Sequence, residues 1–467
     1  MSKSKEKIRV SFGYNSEQVT GSHTLITLPH SKKKILIDYG LSQGGTLLEE
    51  YRDNTKKPNF KPKDIDYIIL THLHIDHSGR IAQLYAQGCT APLFVAEGAS
   101  DIYKALALDS ANICMKDAES LEKKFGREFP PVITDDDVYN SLNYLKELPV
   151  GEKIEIDEYI TIKLTYNHHI FSSVSITLWL KNGSSTRKII VTGDLGNTAV
   201  PQYYVEDFTP FESANLLIGE CTYATEERNA GPKERRKDLE KIRTLPDVKG
   251  RVLIPAFAYG RSPMILTMLY EQLKDADIQV IYASPLGTKL LDIYKKKYPE
   301  LDDVMKWDKL KILSSFTQLE SELADQKGHK IFVCPSGMLN AGYSVYVATQ
   351  LLPHSADLIC FCGYSAEGTL AHKIRQKKTK TIAIDGKNIH SRCQVMNLVS
   401  LSSHMQHREL LALYSQKDGQ TQYDKIALVH GNQNDKIEFA KELQEECSKH
   451  NRTTKVIATN KSTEITL

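Results

Sequence analysis

Short apolar runs recur along this chain, and many of them stop at a polar residue with chemistry to offer. Ile8 to Phe12 and Leu25 to Leu28 read as strands, the second preceded by a turn at Gly21. Lys34-Ile35-Leu36-Ile37 is an apolar strand ending at Asp38. Tyr67-Ile68-Ile69-Leu70 is a short buried strand, after which Ile81, Leu84 and Tyr85 follow at helical spacing. Residues 99–150 read as helical, with Ala105, Leu106, Leu108 and Ala111 as an apolar stripe and a break at Pro130-Pro131. Within them, Asp135-Asp136-Asp137 before Val138 is a helix start favoured by the helix dipole. Ile154 to Leu164 alternates as strands do and leads to His168-His169. Lys188 to Val191 ends in Gly193-Asp194, and Asn215 to Gly219 ends in Glu220.

The second half repeats the theme with smaller turn residues. Strands are predicted at Arg251 to Ile254, Ile278 to Ala283, Lys330 to Val333 and Asp357 to Cys362. They run into Gly260-Arg261, Ser336-Gly337 and the Gly363 to Leu370 turn. Strands alternating with helices imply a mostly parallel sheet. After Asp385-Gly386 a run of strands is expected to return to the first domain, carrying His404 and, after Ile426 to Val429, His430.

Composition narrows the class. The 467 residues suffice for two or more domains, and 41% hydrophobic with 25% charged content is ordinary for a globular protein. A net charge of +2 advertises no nucleic-acid binding across the whole chain. Basic clusters at Lys32 to Lys34, Lys233 to Lys237 and Arg375 to Lys380 read as solvated faces. Eight cysteines without CxxC pairs suggest neither a disulfide framework nor a zinc ribbon, so a reducing compartment, the cytoplasm, is expected. No apolar run approaches the ~18 residues of a membrane span.

The chemistry concentrates at Thr71-His72-Leu73-His74-Ile75-Asp76-His77-Ser78. Three imidazoles and a carboxylate suit a borderline metal such as zinc and are too rich in nitrogen for magnesium or calcium. Four adjacent ligands do not readily close on one tetrahedral ion. A split is expected, with His72 and His74 on one ion and Asp76 and His77 on another. A strand-end histidine should add to the first ion, and His168 and His169 are both candidates.

The HxHxDH segment resembles, residue for residue, the signature of the metallo-β-lactamase superfamily. That resemblance implies an α/β fold, a four-layer αβ/βα sandwich with a metal site at one edge. It aligns His169 with a ligand and His168 with a glycine, makes Asp194 the bridging aspartate, and gives Asp38 the role of supporting the ligands from behind. Glu220-Cys221-Thr222-Tyr223, Ser402-Ser403-His404 and Val429-His430-Gly431 resemble the three motifs of the β-CASP branch, whose members are nucleases. The branch inserts a second α/β domain, which implies boundaries at 1–222, 223–390 and 391–467. It also implies two zinc ions, with manganese as an alternative, on His72, His74, His169 and Asp194 and on Asp76, His77, Asp194 and His430. His404, polarised by Glu220, would be the general acid, and Asp76 would also orient the attacking water.

The implied activity is hydrolysis of single-stranded RNA, with endonuclease favoured over exonuclease but no residue of the sequence deciding between them. His430 marks the RNA-processing members, whereas the DNA-repair members carry an aliphatic residue there. RNA is the expected partner, no membrane is, and homodimerisation stays open. Gln406, Ser172 and Asn432 depart from common Asp, Gly and Glu without removing a ligand, and His407 is read as a surface residue on the following helix. Two rivals are a hydrolase of another ester on the same fold and an inactive RNA-binding scaffold.

Overall fold

The computed structural model describes residues 7–13, 16–226, 230–325, 327–363, 365, 368–376, 380–384, 386–415, 421–450 and 453–467. Two units emerge. One comprises Met1–Thr198, Val205–Glu227 and His404–Leu467, the other Ala199–Tyr204 and Arg228–Ser403.

The first unit is built on two seven-stranded sheets. One runs Glu464–Thr466, Arg9–Phe12, Thr24–Leu28, Lys33–Ile37, Tyr67–Ile69, Leu93–Ala96, Leu145–Leu148. The other runs Lys455–Ala458, Tyr423–Val429, Ala214–Glu220, Ser185–Val191, Val174–Asn182, Ile160–Tyr166, Lys153–Glu155. Alternation decides what each face buries. Ile35, Ile37 and Ile69 of the first sheet share one core with Ile160, Ile162, Leu164, Ile176, Leu178, Leu216 and Ile218 of the second. Truncating a fully buried member such as Leu178 to Ala should cost about 2–5 kcal/mol. The residues that alternate with these turn outward: Ile190, Leu217, Ile426 and Leu428 pack against Phe439 and Leu443 of the helix Gln433–Lys449 and Leu410 and Tyr414 of His407–Tyr414. Ala82, Ala111, Cys114 and Val138, from helices Ile81–Ala86, Ser100–Phe125 and Asp135–Leu142, form a further cluster. This is the expected four-layer sandwich.

Local chemistry sets the helix ends. Thr134 accepts from the Asp137 N–H, and the Asp137 carboxylate accepts from the Thr134 N–H, so the acidic triplet does begin a helix. The stretch 99–150 is not helical throughout. Leu145–Leu148 is a strand, paired in parallel with Leu93–Ala96, and its Leu148 reaches the inner core.

The second unit carries a six-stranded sheet, parallel in every pairing, in the order Leu310–Leu313, Gln279–Ala283, Lys330–Cys334, Val252–Pro255, Leu358–Phe361, Gln394–Asn397. Its four central strands are nearly continuous apolar runs, as burial on both faces demands. Gln394–Asn397, expected to have returned to the first domain, instead pairs with Leu358–Phe361 at this sheet's edge. Tyr364, Ala366, Glu367, Lys377 to Thr379 and Asp385 lie outside the described residues.

All eight cysteines are free and buried. Among the described residues, no helix is long and apolar enough to cross a membrane.

Candidate metal centre

The site forms where strands of the first unit end, the usual place for a ligand in parallel sheets. Asp38 follows Lys33–Ile37, and Thr71 to His77 follow Tyr67–Ile69. His168 and His169 follow Ile160–Tyr166, and Asp194 follows Ser185–Val191. Glu220 ends Ala214–Glu220, and His430 follows Tyr423–Val429. His404 sits in a loop after the short turn Val399–Leu401 rather than on a strand.

Two donor groups result: His72, His74, His169 and Asp194, and Asp76, His77 and His430. His74 Nδ1 lies 3.1 Å from His72 Nε2 and 3.3 Å from His169 Nε2. Asp194 Oδ2 is 3.5 Å from His72 Nε2 and 3.7 Å from His169 Nε2. Asp194 Oδ1 is 3.3 Å from His77 Nε2 and 3.5 Å from His430 Nδ1. His77 Nε2 and His430 Nε2 stand 3.1 Å apart, with Asp76 Oδ2 3.5 Å from the latter. Tetrahedral ligands at about 2.0–2.1 Å from an ion are separated by roughly 3.3 Å, so both groups fit the donor spacing of such a site.

The surrounding hydrogen bonds fix which nitrogen is bare. Asp38 accepts from the Thr71 N–H and hydroxyl at 2.8 Å each, and from His77 Nδ1 at 2.8 Å. With its proton committed to Asp38, the Thr71 oxygen is left to accept from His72 Nδ1, 3.1 Å away. Thr222 Oγ1 lies 2.9 Å from His430 Nδ1. In the neutral ring each bond made through Nδ1 leaves the Nε2 lone pair aimed inward, and such carboxylate- and hydroxyl-held imidazoles are typical of metal ligands. Nitrogens 3.1 Å apart beside a buried carboxylate need a proton or a metal cation between them. Asp194 Oδ1, fully buried, has no well-directed hydrogen bond, only the His77 and His430 nitrogens at 3.3 and 3.5 Å, which agrees.

Ionisation follows the same crowding. Burial drives the His72 pKa well below its ordinary value, with His77 adding to the effect. Burial also takes His74 down to about 4. Burial opposes charge on His77, but Asp194 and Asp38 hold its pKa well above the ordinary value. Burial opposes ionisation of Asp76 too, yet its bond to His430, with His77 nearby, brings it to about 2.

His404 Nδ1 donates to Glu220 Oε1 at 3.2 Å, and His404 Nε2 is 3.9 Å from Asp194 Oδ2. Burial disfavours its charge, but Glu220 outweighs burial and raises its pKa. Glu220 is itself fixed by the N–H groups of Leu195 and Thr222. His168 turns away, with Nδ1 against the Glu206 carbonyl at 2.9 Å. Only His169, of the two candidates, joins the cluster.

The backbone is bent to make this possible. Asp38, His168, Ser172 and His430 all have positive φ, between 53° and 63°. His168 and Ser172 occupy the positions where glycine is common, and their left-handed geometry is why. Gly40 must be glycine for closeness alone: a Cβ there would lie 1.6 Å from the Asp76 carbonyl.

The sequence gives no sign of the roles of Thr71 and Thr222, because a threonine beside a motif carries no pattern of its own. Gln406 and Asn432 prove to be N-cap residues of the helices His407–Tyr414 and Gln433–Lys449. His407, expected at the surface, is mostly covered. It contacts the Ala224 carbonyl through Nδ1 and lies 3.2 Å from Glu442 through Nε2.

The sandwich and its paired donor groups define a hydrolase of the metallo-β-lactamase superfamily. The model of that superfamily matches residues 18–199, the Beta-Casp domain 264–374, and the Zn-dependent metallo-hydrolase RNA specificity domain 388–453. Transcription termination factor FttA of Methanocaldococcus jannaschii is 26% identical over 455 residues, covering 93% of this chain and 68% of its own. Ribonuclease TTHA0252 of Thermus thermophilus is 26% identical over 445 residues, with 93% and 95% covered. Endoribonuclease YSH1 of Candida albicans is 25% identical over 375 residues, with 75% and 41% covered. The chain belongs to the β-CASP branch of RNA-processing nucleases, a metal-dependent family.

Proposed function

We propose that this protein cuts single-stranded RNA internally by hydrolysis, at a centre of two zinc ions. His72, His74, His169 and Asp194 hold one ion, and Asp76, His77, His430 and Asp194 hold the other; manganese is the alternative metal. One observation carries the reading: the two oxygens of the buried Asp194 carboxylate face different donor groups. Two bound metals neutralise phosphoryl oxygens and make water nucleophilic at neutral pH.

The residues supply the rest. Asp76, kept ionised, accepts a hydrogen bond from the attacking water and orients it. Glu220 holds the His404 ring through Nδ1, and the raised pKa keeps a proton on Nε2 for the departing oxygen. Asp38 and Thr71 fix the His77 and His72 rings so that their lone pairs stay aimed. His430 and the ribonucleases among the relatives support RNA over DNA, and the name of the Candida relative supports internal cutting. Eight buried thiols support a reducing, cytoplasmic setting.

The test is incubation of the metal-loaded chain with RNA labelled at either end, beside DNA of the same sequence at equal salt. Internal fragments from RNA, slower attack on DNA, and loss of both with a chelator are expected. Faster cleavage of DNA, or intact RNA in the presence of two bound ions, would overturn the substrate assignment.

A further inference from the structure

The second sheet of the first unit has a face turned away from its apolar core. Ile160, Ile162, Leu164, Ile176, Leu178 and Leu180 point inward. By strand alternation, Thr161, Lys163, Trp179 and Lys181 point the other way. Trp179 lies opposite Lys188 on one neighbouring strand and Thr161 on the other. Lys153, on the edge strand, lies opposite Lys163. Lys153 and Lys188 place their ammonium groups 4.3 and 5.2 Å from the Trp179 ring centroid. Trp179 is half-buried, and Lys153 and Lys181 are exposed.

The patch is electrically lopsided. Four lysines, 153, 163, 181 and 188, share it with Glu155 and Glu212. Glu212 is 2.5 Å from Lys188. Lys188 chiefly, with Lys163 and Lys153, holds the Glu212 carboxyl below its usual range.

A flat indole ringed by mobile cations is what a single-stranded nucleic acid needs: a face for a base and charges for the flanking phosphates. Exposed lysine–indole contacts are weak and exchangeable. A stacked base can take the ring while the ammonium groups move to the backbone. We propose that Trp179, with Lys153 and Lys188, is an anchoring site for single-stranded RNA outside the metal centre. The proposal rests on the RNA reading given above. Its position suits the role. The Val174 N–H donates to the Thr71 carbonyl beside the centre, and Trp179 lies five residues further along the same strand, about 17 Å away. A strand held there reaches the centre within a few nucleotides.

The sequence contains two tryptophans, and the other, Trp307, is buried; once Trp307 is replaced, indole fluorescence reports on Trp179 alone. The experiment titrates oligouridine into the full His404→Ala chain, in a Trp307→Phe background. Saturable quenching is expected. Read by the anisotropy of dye-labelled oligouridine, which needs no indole, Trp179→Ala should weaken RNA binding about 5- to 100-fold, and Trp179→Phe, which keeps a ring, only a few-fold. Lys153→Gln with Lys188→Gln should lower the salt slope by roughly 1.4, about 0.7 for each lost phosphate contact. RNA binding without quenching, or Trp179→Ala binding within twofold of its parent, overturns the anchor. So does equal quenching by polyglutamate, which would make the patch a protein-docking face. Hydrolysis of bis(p-nitrophenyl) phosphate by the wild-type chain probes the centre without any strand to anchor. Its absence, together with absence of RNA binding, would instead bring down the functional reading.

Discussion

The two donor groups differ in where their members come from. His72, His74, His169 and Asp194 all lie in the first 200 residues, and a short relay from Asp38 through Thr71 orients His72. The other group joins Asp76 and His77 to a histidine 353 positions later in the chain. Its two imidazoles have separate supports, Asp38 for His77 and Thr222 for His430. Asp194 and Asp38 serve both groups, whereas His169 and Thr222 serve one each. The centre is therefore a shared pair of carboxylates with private histidines on either side, and substitutions should sort accordingly.

Asp194→Ala should have the largest effect, removing both ions and reducing RNA cleavage to background. Elemental analysis of the folded variant checks it, and two retained ions would break the idea of a shared carboxylate. Next come the private ligands. His430→Ala and His169→Ala should each leave close to one ion per chain and lower cleavage by more than about 100-fold, beyond the range typical of supporting residues. His168→Ala should keep both ions, since that ring faces the Glu206 carbonyl. Asp38→Asn should weaken metal binding roughly 10- to 100-fold at both positions, and Thr222→Val roughly tenfold at the second only. Competition with a chromogenic chelator, read as one or two titration steps, separates them. The smallest effect concerns the backbone. Ser172→Gly relieves a left-handed conformation and should stabilise the fold by about 1 kcal/mol, seen as a higher urea midpoint with unchanged slope.

Much of this centre was legible because its donors sit directly after apolar runs. An interrupted hydrophobic pattern marks a strand end, and Asp38, Asp194, Glu220 and His430 stand at such interruptions. The choice between His168 and His169 was not readable from the residues alone. It depends on a backbone reversal at His168 that places the next ring, and not its own, toward Asp194. Thr71 and Thr222 stayed hidden because they act by contacts that only the folded chain creates. Leu145–Leu148 escaped as a strand for a related reason: two exposed residues lie between its leucines, and pairing with Leu93–Ala96 is what makes it extended. The edge strand Gln394–Asn397, short and polar, likewise shows its sheet only through its partner.

The 353-residue separation of His77 and His430 also sets an order of events during synthesis. At about 5–20 residues per second, a ribosome makes His430 roughly 20–70 s after His77. Throughout that interval the nascent chain carries the HxHxDH loop, and from residue 194 onward Asp194 as well, but it lacks the residue that completes the second donor group. A nuclease wired in this way has no finished centre while most of it is still being translated, beside the RNA that encodes it.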